Sequence, residues 1–283
     1  MSMVVCLPPK ICLSELPAGN LIRRHLNHTS MKGIYLNGGA AFFFIVGVAF
    51  FLAGLTKGVI GLGLPTVSLA VLTAFFGLKD AIPLILIPSL VTNLLQAFSG
   101  PHLKELIKRF WSLLLAGVTG IFAVSEAFVN SSSELLSLIL AISIIIYSGF
   151  GLSSTNSLNL TDREKWYSPI IGTFTGAVTG LTGSFVVPAV PYLQSLGLQR
   201  DQFIQAMGIW FSIATGALAV MLGIRGLLSM EQNIISIAAL LPAVIGMSFG
   251  QIIRRKLSEI RFRRIFFLSL LFMGIYIIVG SAQ

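Results

Sequence analysis

The sequence predicts an all-α polytopic membrane protein made of two inverted repeats. Each repeat is a glycine-tipped helical hairpin, short or re-entrant, followed by three transmembrane helices. Three observations predict this. The 283 residues are 55% hydrophobic and only 10% charged, with mean hydropathy +0.91, whereas a soluble domain would carry roughly a quarter charged residues. Several uncharged runs reach the ~20 residues that a helix needs to cross a bilayer. A glycine-rich stretch also occurs twice, so that Gly54, Gly58 and Gly61 fall on Gly176, Gly180 and Gly183, with Thr179 in the place of Lys57.

Taken in order, residues 1–37 form an N-terminal tail with Pro8, Pro9, Pro17 and the two cysteines, Cys6 and Cys12. It lacks the apolar core and cleavage site of a signal peptide. Met31-Lys32-Gly33 opens directly onto the first apolar run, so Met31 is read as the natural start and residues 1–30 as an over-extended gene start. The cysteines show no metal-ligand spacing with each other or with histidine.

The first repeat covers residues 38–152. Gly38 to Thr56 is a helix of nearly full length, the glycine loop around Lys57 follows, and Thr66 to Phe76 returns. Ile82–Phe98, Trp111–Val129 and Leu135–Leu152 are the three full spans, separated by the basic loop Ser99–Phe110 and the uncharged turn Asn130–Ser133. Residues 153–167 form a polar cytoplasmic linker. The second repeat, 168–283, opens with an uncharged stretch, Ser168 to Gln199, of 32 residues. Two crossings need ~40 residues. Each arm of such a hairpin rises only about 24 Å at 1.5 Å per residue, which favours entry and return. Phe203–Leu222, Asn233–Ile252 and Ile265–Gly280 are its full spans.

Three spans per half is an odd number, so consecutive halves must face opposite ways, as in many transporters. Loop charge is an independent sign of the same thing. Asn130–Ser133 has no basic residue, while its mate Ile253–Arg264 has six. Placing basic loops in the cytoplasm puts both termini outside. The net charge of +9 is thus a topology signal, and nucleic acid is excluded as a partner.

The run Gly54-Leu55-Thr56-Lys57-Gly58-Val59-Ile60-Gly61-Leu62-Gly63-Leu64-Pro65, the run Pro88-Ser89-Leu90-Val91-Thr92-Asn93-Leu94-Leu95-Gln96 and the second tip at 176–183 together resemble the TauE/SafE family of membrane permeases, also called sulfite exporters or toluenesulfonate uptake permeases. The resemblance covers roughly Gly38 to Gly280, duplication included. The chain departs from the family's common triple-glycine form, with Gly61-Leu62-Gly63 in one half and Gly183-Ser184-Phe185 in the other. The resemblance implies transport of sulfite, sulfonates or related sulfur-containing anions, and leaves substrate and direction open.

The candidate substrate-binding residues are Lys57, Gly58, Gly61, Asn93, Gln96, Thr179, Gly180, Gly183, Ser212 and Thr215. Lys57 stands in an apolar run, where a charge is costly and so marks function, or else its long stem snorkels to the interface. The glycines either free backbone N–H groups for an anion or let helices pack closely. Asn93 and Gln96 meet substrate or bond between helices. Ser212 and Thr215 are at the matching depth of the mate span and more commonly bond their own backbone. Glu126 reads as an interface residue and His102 as solvated. The chain has no metal motif, no nucleophile elbow and no phosphate loop, so it reads as a non-enzyme without a cofactor.

The expected function is secondary transport, as an exporter in a bacterial plasma membrane. The alternatives are an uptake permease for another small anion, or an anion channel or non-transporting scaffold. The partners are a small anion, the lipid bilayer and, if transport is coupled, a proton or other ion. Oligomeric state stays open.

Overall fold

A computed structural model describes residues 20–153, 163–254 and 259–281. Part of the 153–167 linker and of the basic loop before the last span, and the tail residues 1–19, therefore lie outside the described residues. The chain divides into two compact units, Met1–Phe43 and Phe44–Gln283. In the first, the described residues from Asn20 are helical; the second holds everything below.

Among the described residues there are twelve helices and no strand. They are α1 (Asn20–Ile60), α2 (Leu64–Phe76), α3 (Leu78–Phe98), α4 (Leu103–Ala123), α5 (Ser125–Asn130), α6 (Ser133–Leu152), α7 (Glu164–Thr182), α8 (Ala189–Ser195), α9 (Arg200–Ile224), α10 (Met230–Ala238), α11 (Leu240–Arg254) and α12 (Glu259–Ser281). Seven stretches among them are long and apolar enough to cross a membrane. Six correspond to the expected full spans, with α4–α5 and α10–α11 each making one, and the seventh is Gly39–Ile60 in α1. Most boundaries lie a turn or so beyond the apolar runs. α4 begins at Leu103 because the charged turn before Trp111 continues the helix, burying Leu106 and Phe110 while exposing Lys104 and Lys108.

Both hairpins break at glycine. The α1 helix runs through Lys57 and Gly58 and ends where Gly61 (φ 84°) and Gly63 (φ 106°) adopt the left-handed conformation open to glycine. α7 ends the same way at Gly183 (φ 69°). The two ends are closed by equivalent hydrogen bonds, Gly61 N–H to Lys57 O and Gly183 N–H to Thr179 O, both 2.7 Å. The return arms differ: α2 has 13 residues and α8 has 7. Both are shorter than the ~20 residues of a crossing.

Other glycines are contact points between helices. A Cβ added to Gly176 would lie 2.1 Å from Gly117 O, and one on Gly172 would lie 2.4 Å from Leu113 O. On the other pair, a Cβ at Gly54 would lie 2.0 Å from Ala243 O and one at Gly58 2.2 Å from Met247 O. Numbers rise together along both pairs, so α4 runs parallel to α7, and α1 beyond Phe43 runs parallel to α11. The α6–α12 pair is antiparallel: Gly151 meets Phe267, while Gly274 meets Ile145. In lipid, where apolar surface drives no helix association, such small-residue contacts hold helices by close van der Waals packing.

The core lies around α3 and α9. Trp210, Phe211 and Phe185 are fully buried there, and Trp210 Nε1 donates to Phe185 O at 2.8 Å. Pro88 inside α3 has no N–H to give Leu84 O. Ser236 of α10 takes over that role, donating to Leu84 O at 2.8 Å while its Oγ accepts from Ile87 N–H at 3.3 Å. A backbone group freed inside the membrane is thus satisfied by a neighbouring helix.

Candidate functional site

Lys57 is in the last turn of α1, within a candidate span, and is 5% exposed. A cation near a helix C-terminus faces the negative end of the helix dipole. Its Nζ donates to Asn93 Oδ1 and, at 3.2 Å, to Thr92 Oγ1. Both acceptors are neutral, and among the described residues Lys57 has no carboxylate partner. Thr92 Oγ1 donates in turn to Pro88 O at 2.7 Å, so its hydroxyl proton is committed to backbone and its lone pair is left for the lysine.

Asn93 is fully buried on α3, and its Nδ2 has no hydrogen-bond partner. Because Oδ1 of the same amide holds Lys57, this idle donor sits beside the ammonium. One turn earlier Ser89 is equally buried, with its Oγ also unpartnered. Ser89, Thr92, Asn93 and Gln96 follow the i, i+3, i+4 spacing of one helix face. That spacing could have pointed to Ser89 and Thr92, which reasoning from single residue types passed over.

The remaining candidates are distributed as follows. Gln96 Nε2 bridges to Ile204 O of α9 at 2.7 Å. Ser212 Oγ donates to its own backbone at Gly208 O, 2.7 Å. Thr215 is fully buried with Oγ1 unpartnered. Thr179 Oγ1 donates to Ser184 O at 2.9 Å, across the second tip. Gly58 and Gly180 are inside helices, against Met247 and Ile121 backbone. Gly61 faces Ile204, and Gly183 faces Ile82 and Leu69. Each tip glycine therefore abuts an isoleucine of the other half. Lys57 is gathered with Asn93 and Thr92 of its own half.

The interval that carries Lys57 to Thr179 also carries Asn93 to Thr215. Lys57 and Asn93 of the first half thus correspond in sequence to two hydroxyl residues, Thr179 and Thr215, in the second. α2 starts beside Thr56, whose Cγ2 lies 3.0 Å from a Cβ built on Gly63, and it has no side-chain cap. Pro65 in its first turn has no N–H, Val67 N–H bonds Gly63 O, and the Leu64 and Thr66 N–H groups have no intrahelical acceptors. Elsewhere, Glu126 pairs with Arg225 at 2.9 Å, and Arg109 grips Glu164 with two nitrogens at 2.9 and 2.7 Å. Among the described residues no group of three His, Cys, Asp or Glu is placed to hold a metal ion.

Taken together, a buried lysine and idle neutral donors stand around a broken helix, with no carboxylate partner for the lysine among the described residues. A family model described as sulfite exporter TauE/SafE matches residues 46–277. No curated protein and no solved structure matches the chain.

Proposed function

The chain belongs to the sulfite exporter TauE/SafE family, and from that premise we propose that it is a secondary transporter exporting a small sulfur-containing anion, sulfite or an organosulfonate, across a bacterial plasma membrane. The observation that carries this reading is Lys57, a buried ammonium held, among the described residues, by the neutral Asn93 and Thr92. Taking a charge out of water costs several kcal/mol even after relaxation. Two neutral acceptors offset part of that, and an incoming oxyanion offsets the rest.

The oxyanion has several strong acceptor atoms. Lys57 supplies one compact point charge, Asn93 Nδ2 an adjacent neutral donor, and the uncapped start of α2 the N–H groups of Leu64 and Thr66 at the positive end of its dipole. Gly61 and Gly183 let both hairpins turn inside the protein. Thr179 and Thr215 give the second half a weaker, uncharged counterpart of the site, which suits capture on one side and release on the other. Two halves facing opposite ways supply the alternation. The parallel α1–α11 and α4–α7 contacts, together with the antiparallel α6–α12 pair, support that inverted arrangement.

Flux of labelled sulfite in proteoliposomes, with and without a proton gradient, tests the reading. Gradient-dependent flux is expected in wild-type protein. Lys57→Met keeps the stem and removes the charge; it should fold, lose flux, and bind the anion more weakly by the ~1.5–3 kcal/mol of a charged hydrogen bond. Flux indifferent to the gradient would mean a channel, and no flux with any sulfur anion would mean a scaffold.

A further inference from the structure

A second place on the molecule is built for an anion, of a different kind. The N-terminal ends of α4 and α7 enclose a cleft of about 760 Å³. Its charged lining comprises Lys108 and Arg109 from α4 and Glu164 and Lys165 from α7. Arg109 and Glu164 cancel each other in their two-nitrogen contact. Lys108 and Lys165 remain, one on each wall, both exposed and, among the described residues, without a carboxylate partner. The cleft therefore keeps two positive charges.

Its other feature is aromatic. Trp111 and Trp166, again one from each helix, line the cleft and are 61% and 80% exposed. Tryptophan concentrates where the apolar part of a membrane meets the headgroups. Further along the same helices, Leu115 of α4 and Ile170 and Phe174 of α7 are also exposed, continuing an apolar path from the cleft along both helices. On α4 Lys108 stands one turn before Trp111 and on α7 Lys165 directly precedes Trp166, with aliphatic surface beyond both; charge, then indole, then apolar surface is the order of groups along a phospholipid. A free phosphate would satisfy the lysines and leave the rest of that order without purpose.

We propose that this cleft binds the headgroup of an anionic glycerophospholipid, with its phosphate between Lys108 and Lys165 and its glycerol against Trp111 and Trp166. Basic pockets between transmembrane helices recognise such headgroups by charge. The site is separate from Lys57, so its fate is independent of the transport reading.

Thermal unfolding of the purified full chain in uncharged detergent is the test, since a ligand that binds only the folded state raises its apparent stability. Phosphatidylglycerol should raise the midpoint by several degrees, while phosphatidylcholine and glycerol phosphate should not. The shift should vanish in Lys108→Gln/Lys165→Gln protein. It should survive in Lys108→Arg/Lys165→Arg, in Lys57→Met and in Arg261→Gln/Arg264→Gln, the last removing equal charge elsewhere. If the glutamine pair does not fold, Trp166→Ala is to be read instead, with a reduced shift expected. An equal response to glycerol phosphate would make this a soluble-anion site and overturn the proposal. An equal response to phosphatidylcholine, or a shift unchanged in the glutamine pair and in Trp166→Ala, would overturn it as well.

Discussion

At the scale of single residues, Lys57 and Asn93 act as one unit. The amide oxygen holds the ammonium and leaves the amide nitrogen unpartnered, so Asn93 both steadies the charge and offers a donor. Two substitutions separate these roles. Asn93→Leu leaves Lys57 with Thr92 alone, and stranding a buried donor costs about 1–3 kcal/mol, more when it is charged; thermal unfolding should show that loss. Asn93→Asp does the reverse. It gives the ammonium an internal counter-charge at the same position and removes the idle donor. We expect Asn93→Asp protein to be as stable as wild type or more so, yet to bind and move the anion poorly, because the carboxylate occupies the place of the substrate. Equal flux from Asn93→Asp and wild type would show that Lys57 does not serve as the counter-charge of the transported anion.

At the scale of elements, helix contacts decide what each glycine is for. Gly176 touches Gly117 backbone, so Gly176→Ala must push α4 and α7 apart, and overpacking of this kind costs about 1–3 kcal/mol. Gly149 of α6 has nothing within 4 Å of an added Cβ. There alanine should be neutral or stabilise by up to about 1 kcal/mol through helix propensity. Comparing the unfolding of the two variants measures the difference, and identical midpoints would argue against the tight α4–α7 contact. These glycines also mark how far the elements could be read from sequence. The six full spans were legible because charged residues punctuate the apolar runs, and the breaks near Gly61 and Gly183 because glycines cluster there. The continuation of α1 through Lys57 and Gly58 was not legible, since a glycine that ends a helix and a glycine that seats a neighbouring helix look the same until the neighbour, Met247 and Gly250, is in place. Thr92 was hidden for a similar reason: a membrane hydroxyl ordinarily bonds its own backbone, and Thr92 does so while also accepting from Lys57. The lysine itself stood out because a charge in an apolar run is rare.

At the scale of the whole molecule, the question is whether the two halves face opposite ways. Successive full spans joined by short loops alternate in direction, so α3, α4–α5 and α6 alternate, as do α9, α10–α11 and α12. α6 and α12 are the third spans of their halves and run antiparallel, with Gly151 at Phe267 and Gly274 at Ile145. If the third spans oppose, the first and second must as well. The loop between α3 and α4 then lies on one face of the membrane and its mate, between α9 and α10, on the other. The contact of Arg225 with Glu126 at 2.9 Å adds a constraint, since it ties the α9–α10 loop to the first turn of the six-residue α5, which leads directly into the short turn before α6. Single cysteines at Pro101, Ser132 and Leu227, in a chain whose Cys6 and Cys12 are serine, make this measurable with an impermeant thiol reagent. We expect Ser132→Cys and Leu227→Cys to label from one side and Pro101→Cys from the other. If Pro101→Cys and Leu227→Cys react from the same side, the halves are not inverted. A transport cycle that exchanges the Lys57–Asn93 pair of one half for the Thr179–Thr215 pair of the other would then lose its symmetry and have to be abandoned.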